Sequence, residues 1–177
     1  MLDIAVAYNR YRFLGNEFLT WLWYIIENDR KKLVDSENNR ISLVIGNRII
    51  IENKLNDDSS EVISIKGDDA DLKEGILALK KGAVVTELNI ILKESEYEWK
   101  FNIKGENFHL SGFKPPETGK VEKKEDIDGA ILEKYFLYEK AINIIDSLYK
   151  NFLHIRISDN WKKQTVPEIQ KWIKADN

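Results

Sequence analysis

The sequence predicts an α+β fold: an antiparallel β-sheet packed by an aromatic N-terminal helix, a mid-chain helix and a long C-terminal helix. Three observations carry that expectation. Near both ends of the chain, apolar residues recur at three- and four-residue steps, the period of a helix face. Between them, β-branched and aromatic residues alternate with polar ones, the period of a half-buried strand. The strand-like segments are mostly grouped, which suits antiparallel pairing covered by helices.

The opening LDIAVAYNRYR has Ile4, Val6 and Tyr8 at alternate positions, compatible with a short strand or with a lead-in to the helix. From Leu14 the period is helical. Leu14, Phe18, Trp21, Leu22 and Ile25 share one face, and Trp23, Tyr24 and Ile26 widen it until little is left for water. ENDRKK ends this helix and VDSENN is a polar loop. ISLVIGNRIIIEN, residues 41–53, has two β-branched runs around Gly46-Asn47, which predicts a hairpin. EVISIKG is the next strand. Asp68 or Asp69 then caps a helix over ADLKEGILALKKG, closed by Gly82. VVTELNIILK and YEWKFNIKG read as long paired strands. The second puts Tyr97, Trp99, Phe101 and Ile103 on one face and Glu98, Lys100, Asn102 and Lys104 on the other. FHLSGFK adds a short strand, and PPETGKVEKKED, with Pro115-Pro116, is a flexible connector.

The long helix is expected from about residue 126 to 155. Ile131, Tyr135, Tyr138, Ile142, Ile145, Tyr149 and Phe152 step 4-3-4-3-4-3, beside a second row of Ala130, Leu137, Ala141, Ile144, Leu148 and Ile155. Two adjacent rows make a broad apolar face, expected to be shared between the sheet and a second subunit of a homodimer. Tyr138, Ile142, Ile145 and Tyr149 are the candidate interface. Residues 1–158 are expected to form one domain, and residues 159–177 an amphipathic helical extension. In TVPEIQKWIK, Thr165 and Glu168 have capping-box spacing and Pro167 lies in the first turn. Trp161 and Trp172 are expected to anchor this extension near the long helix, leaving Lys162, Lys163, Lys171 and Lys174 in water.

Composition narrows the function classes. A chain of 177 residues, 43% hydrophobic, can bury a core without staples. It has no cysteine, so disulfides, thiolate zinc sites and cysteine nucleophiles are excluded. A reducing cytoplasm fits. No apolar run reaches membrane-spanning length, and Met1-Leu2-Asp3 does not begin a signal peptide, so no membrane association is expected. His109 and His154 are the only histidines and lack partners at ligand spacing. Asp57-Asp58 and Asp68-Asp69-Asp71 resemble the acids of a two-metal nuclease, but both groups flank turns, where aspartate caps helices and shapes loops. Neither a phosphate loop nor a GxSxG elbow is present. The expectation is a protein that is not an enzyme and has no catalytic residue, metal or cofactor.

Charge is segregated along the chain. Residues 52–71 are strongly acidic, the stretch from Lys93 to Lys124 is near neutral, and the segment from Lys150 carries six basic residues against three acids. A net charge of −3 does not advertise nucleic-acid binding, so any such binding rests on local patches.

FLGNEFLTWLWYIIE resembles the signature of the recombination-associated protein RdgC family. ISLVIGNRIIIE, ISIKGDDADLKEGILALKKGAVVTELNIIL, YEWKFNIKGENFHLSGFKPP and AINIIDSLYKNFLHIRIS are similar, in the same order, to that family's following segments. The resemblance covers most of residues 13–158 and falls on the C-terminal part of the longer family chains. It implies a nucleoid-associated, cytoplasmic protein that binds double-stranded DNA without sequence preference, as a dimer, and acts beside a recombinase. The expected phosphate contacts are Lys93, Lys100 and Lys104 on the polar sheet face, with Lys114, Lys120, Lys123 and Lys124 beside them. The reading from another class is a protein-interaction or assembly module without nucleic-acid binding, carried by a mobile element. The acidic excess and the double stripe of the long helix motivate it.

Overall fold

The computed structural model describes residues 4–35, 39–56, 59–67, 69–94, 97–118 and 127–175. Four helices and a five-stranded antiparallel sheet form an α+β fold. They are α1 (Ile4–Asn28), β1 (Ser42–Asn56), β2 (Ser59–Lys66), α2 (Asp69–Lys80), β3 (Val84–Glu94), β4 (Tyr97–Lys104), β5 (Leu110–Lys114), α3 (Ile127–Ile157) and α4 (Val166–Lys174). The strand order is β2-β1-β3-β4-β5, so only α2, between β2 and β3, interrupts the run of strands.

The opening segment is helical and continues into the aromatic stretch without a break. Its side chains explain its composition: Phe18, Leu19, Trp21, Leu22, Trp23, Ile25 and Ile26 are all buried, between the sheet on one side and α3 and α4 on others. Close approach comes from glycine. A Cβ on Gly15 would stand 1.7 Å from the Gly105 carbonyl oxygen in the turn after β4, so α1 lies directly on that backbone. In the same turn Phe108 has φ 54°, in the left-handed region, where a non-glycine residue needs support from its surroundings. Ring contacts with Phe18 and Tyr149, at 5.7 and 4.5 Å between centroids, supply it.

The Gly46-Asn47 hairpin does not form. β1 runs straight through these residues as one 15-residue strand. Its register to β3 jumps between Ile45 and Ile49, so Gly46–Arg48 together oppose Asn89. The physical reason is the bulge. A Cβ at position 46 would lie 1.8 Å from Asn89 Oδ1, so glycine admits that side chain, and the surplus residues leave the ladder without reversing the chain. Gly82 does close α2, with φ 91°. The Ala83 N–H reaches the Ala78 carbonyl at 3.2 Å and the Gly82 N–H reaches that of Leu79 at 3.0 Å.

Helix α3 is 31 residues long, and its apolar residues change from exposed to buried along its length, the row that begins at Ile131 included. Leu137, Ala141, Ile144, Leu148 and Phe152 are buried. Ile131, Tyr135, Tyr138 and Ile142 are exposed. The helix meets the sheet where Trp99 Nε1 donates to the Leu137 carbonyl at 3.0 Å. After α3 a π-helical turn, Trp161–Thr165, leads directly into α4. Thr165 therefore makes no side-chain cap: its backbone is already helical and the residue is buried. Trp161 packs edge-on against Phe152 of α3, under the Arg156 guanidinium, which also pairs with Glu17 at 2.6 Å. Trp172 anchors on α1 rather than α3, edge-on to Trp23 at 5.3 Å and beside Tyr24. Burial first, then the nearby Glu168 carboxylate, raises the Tyr24 phenol above its ordinary pKa. Lys162, Lys163, Lys171 and Lys174 are exposed, as the sequence leads one to expect.

Candidate nucleic-acid interface

Strand periodicity builds this surface. Along β4, Trp99, Phe101 and Ile103 turn to the helices, so Glu98, Lys100, Asn102 and Lys104 turn away. Cross-strand pairing extends that outer face. Lys93 stands opposite Glu98, Lys104 opposite Glu87, and Lys100 opposite Lys114. Four of the expected DNA contacts, Lys93, Lys100, Lys104 and Lys114, thus lie on one face, whereas Lys120, Lys123 and Lys124 lie outside the described residues.

Two further cations join them. Arg48 pairs with Lys66 across β1 and β2, and the neighbouring pair Ile49 and Ile65 is buried, so both basic residues point outward. The sequence concealed Arg48 because the supposed hairpin placed it at a turn; only the bulge sets its phase. The outer face therefore carries Arg48, Lys66, Lys93, Lys100, Lys104 and Lys114 against Glu52, Glu87 and Glu98, a local excess of positive charge on a chain that is negative as a whole.

The acids are engaged. Glu98 receives Lys100 at 2.8 Å and Lys93 at 3.2 Å. These hydrogen bonds, Lys100 before Lys93, hold its carboxyl below the usual carboxylate range. Glu87 is buried, 4.0 Å from Arg48. At the centre Asn89 Nδ2 donates to Asn102 Oδ1 at 2.7 Å, an uncharged patch between the basic columns. Beside it, Lys100 and Lys114 line an open cleft together with Glu98, Glu117, Glu133 of α3, Tyr97 and Pro115-Pro116.

The other candidate residues divide. Tyr138 and Ile142 are surface residues, although Tyr138 also stacks on Phe113 at 4.4 Å. Ile145 and Tyr149 face inward. Ile145 is buried in the chain's own core, and Tyr149 is half-buried among Phe18, Phe108 and Phe152. The row that holds them rotates under the body because α1 and the turn after β4 cover the C-terminal half of α3. Trp21 and Trp23 are buried and present no stacking platform to a base. His109 and His154 are exposed on separate elements, and no group of three metal-ligating side chains gathers among the described residues. Asp57, Asp58 and Asp68 lie outside those residues, as do the side chains of Asp69 and Asp71.

No family model, curated protein or solved structure matches the chain.

Proposed function

We propose that this chain binds double-stranded DNA through the open face of its sheet, without sequence preference and without catalysis, in an RdgC-like role in recombination or DNA maintenance beside a recombinase on the nucleoid. The observation that carries the reading is the Lys100–Lys114 pair. Like charges directly opposite on neighbouring strands repel, and Glu98 pairs with Lys100 but not with Lys114. A phosphate bridging Lys100 and Lys114 relieves that repulsion, and contacts of this kind position a duplex without reading its bases. The family resemblance supports the same reading.

Fluorescence anisotropy with a mixed-sequence duplex tests it. Log affinity is expected to fall against log salt with a slope of about −0.9 per phosphate neutralised. Replacing Lys100, Lys104 and Lys114 by alanine should weaken binding and flatten the slope by about one unit per lysine. Glu98→Gln releases Lys93 and Lys100 from their carboxylate and should tighten binding severalfold. Absence of duplex binding at low salt rejects the reading. The second reading, an assembly module that touches no nucleic acid, is favoured by one observation: the apolar side chains that α3 leaves in water.

A further inference from the structure

We infer that the N-terminal half of α3 is a self-complementary seam on which a second copy of this chain docks antiparallel. The inference rests on the apolar side chains of α3 and not on the basic residues of the sheet face.

The first ten residues of α3, 127–136, include no buried residue, and burial begins at Leu137. This overhang is about 15 Å of helix. It is nevertheless apolar: Leu132 is 69% exposed, Tyr135 66% and Ile131 59%. The anchored half of α3 carries this overhang, and among the described residues nothing covers its apolar side.

The pattern selects the occupant. Ile131, Tyr135, Tyr138 and Ile142 form one stripe at steps of 4, 3 and 4. Both the spacing and the order Ile-Tyr-Tyr-Ile read the same from either end. A two-fold axis between Phe136 and Leu137 therefore brings Ile131 against Ile142 of the second copy, and Tyr135 against its Tyr138. That is the isologous condition, in which residue i meets j while j meets i. An unrelated partner helix has no need of such a palindrome. Glu133 and Lys140 lie on the side of the helix away from the stripe, so neither charge is buried by closure.

The area is adequate. Ile127 and Leu132 flank the stripe, which makes six large, roughly half-exposed side chains. At roughly 150–250 Å² each when whole, their exposed fractions amount to at most roughly 500–800 Å² per chain, against the roughly 800 Å² that a standard interface takes from each partner. The polar rim of the helix supplies the remainder. The antiparallel direction also staggers the two bodies, since each overhang lies beside the buried half of the other copy's α3.

Sedimentation equilibrium from about 1 to about 200 µM tests the association, because mass action makes a dimer depend on concentration. The expected result is a monomer–dimer equilibrium, with Tyr135→Lys weakening association by roughly 100-fold, as an unpaired charge in a buried seam must. A second measurement fixes the register and does not depend on that variant folding. The chain has no cysteine, so Ile131→Cys and Ile142→Cys can be prepared separately, mixed and oxidised. The antiparallel seam predicts disulfide-linked heterodimers in the mixture and little self-linking of either variant alone. Three results overturn the inference: a monomer at the highest concentration, a dimer that Tyr135→Lys leaves intact, or self-linking in preference to mixed linking.

Discussion

The two halves of α3 differ in what they touch far more than in what they are made of. Residues 127–136 and 137–157 have comparable apolar content and share one continuous 4-3 row, yet the first stretch has no buried side chain and the second holds all six that α3 buries. The boundary is the Trp99–Leu137 hydrogen bond, where β4 arrives beneath the helix. Periodicity records which side chains avoid water. The neighbouring element decides whether the chain itself supplies the cover.

The largest test of that contrast is Phe152→Ala. Phe152 is fully buried among Phe18, Trp21 and Trp161, and its removal is expected to cost about 3–5 kcal/mol in urea unfolding. A cost below about 1 kcal/mol would mean that the second half is not core. Next comes the boundary. Trp99→Phe removes the hydrogen bond to the Leu137 carbonyl and part of a buried ring, and is expected to cost about 1–3 kcal/mol. Leu132→Gln, on the overhang, is expected to change the stability of the monomer by no more than about 0.5 kcal/mol. A loss comparable to that of Phe152→Ala would show that the chain covers its own overhang. The smallest signal is in hydrogen exchange of the dilute protein, where amides of residues 127–136 should exchange well before those of residues 141–155, which open only with the body.

Much of this molecule was legible in the sequence, and the losses have identifiable causes. β4 was plain because strict alternation with one buried face fixes both strand and phase, and the same alternation brought Lys100 and Lys104 together. Gly46-Asn47 misled because turn chemistry and bulge chemistry use the same residues. Only the Asn89 side chain filling the space beside Gly46 distinguishes them, and it is remote in sequence. Arg48 was lost with it. Thr165 has the right spacing for a cap, but the helix begins earlier through a π-helical turn, a feature of backbone continuity rather than of residue type. Ile145 and Tyr149 belong to the same row as Ile142, and no local signal separates them.

The contact between Gly15 and Gly105 has a consequence for biosynthesis. The surface on which α1 rests includes a turn encoded ninety residues further along the chain. At roughly 5–20 residues per second, a ribosome needs roughly 5–20 s to deliver it. Until then the seat under the stretch holding Phe18, Trp21 and Trp23 is incomplete, which makes it a place where a nascent-chain chaperone would bind. Any alanine at position 15 or 105 would prolong the wait, because the helix then has no place to land even after the turn has emerged.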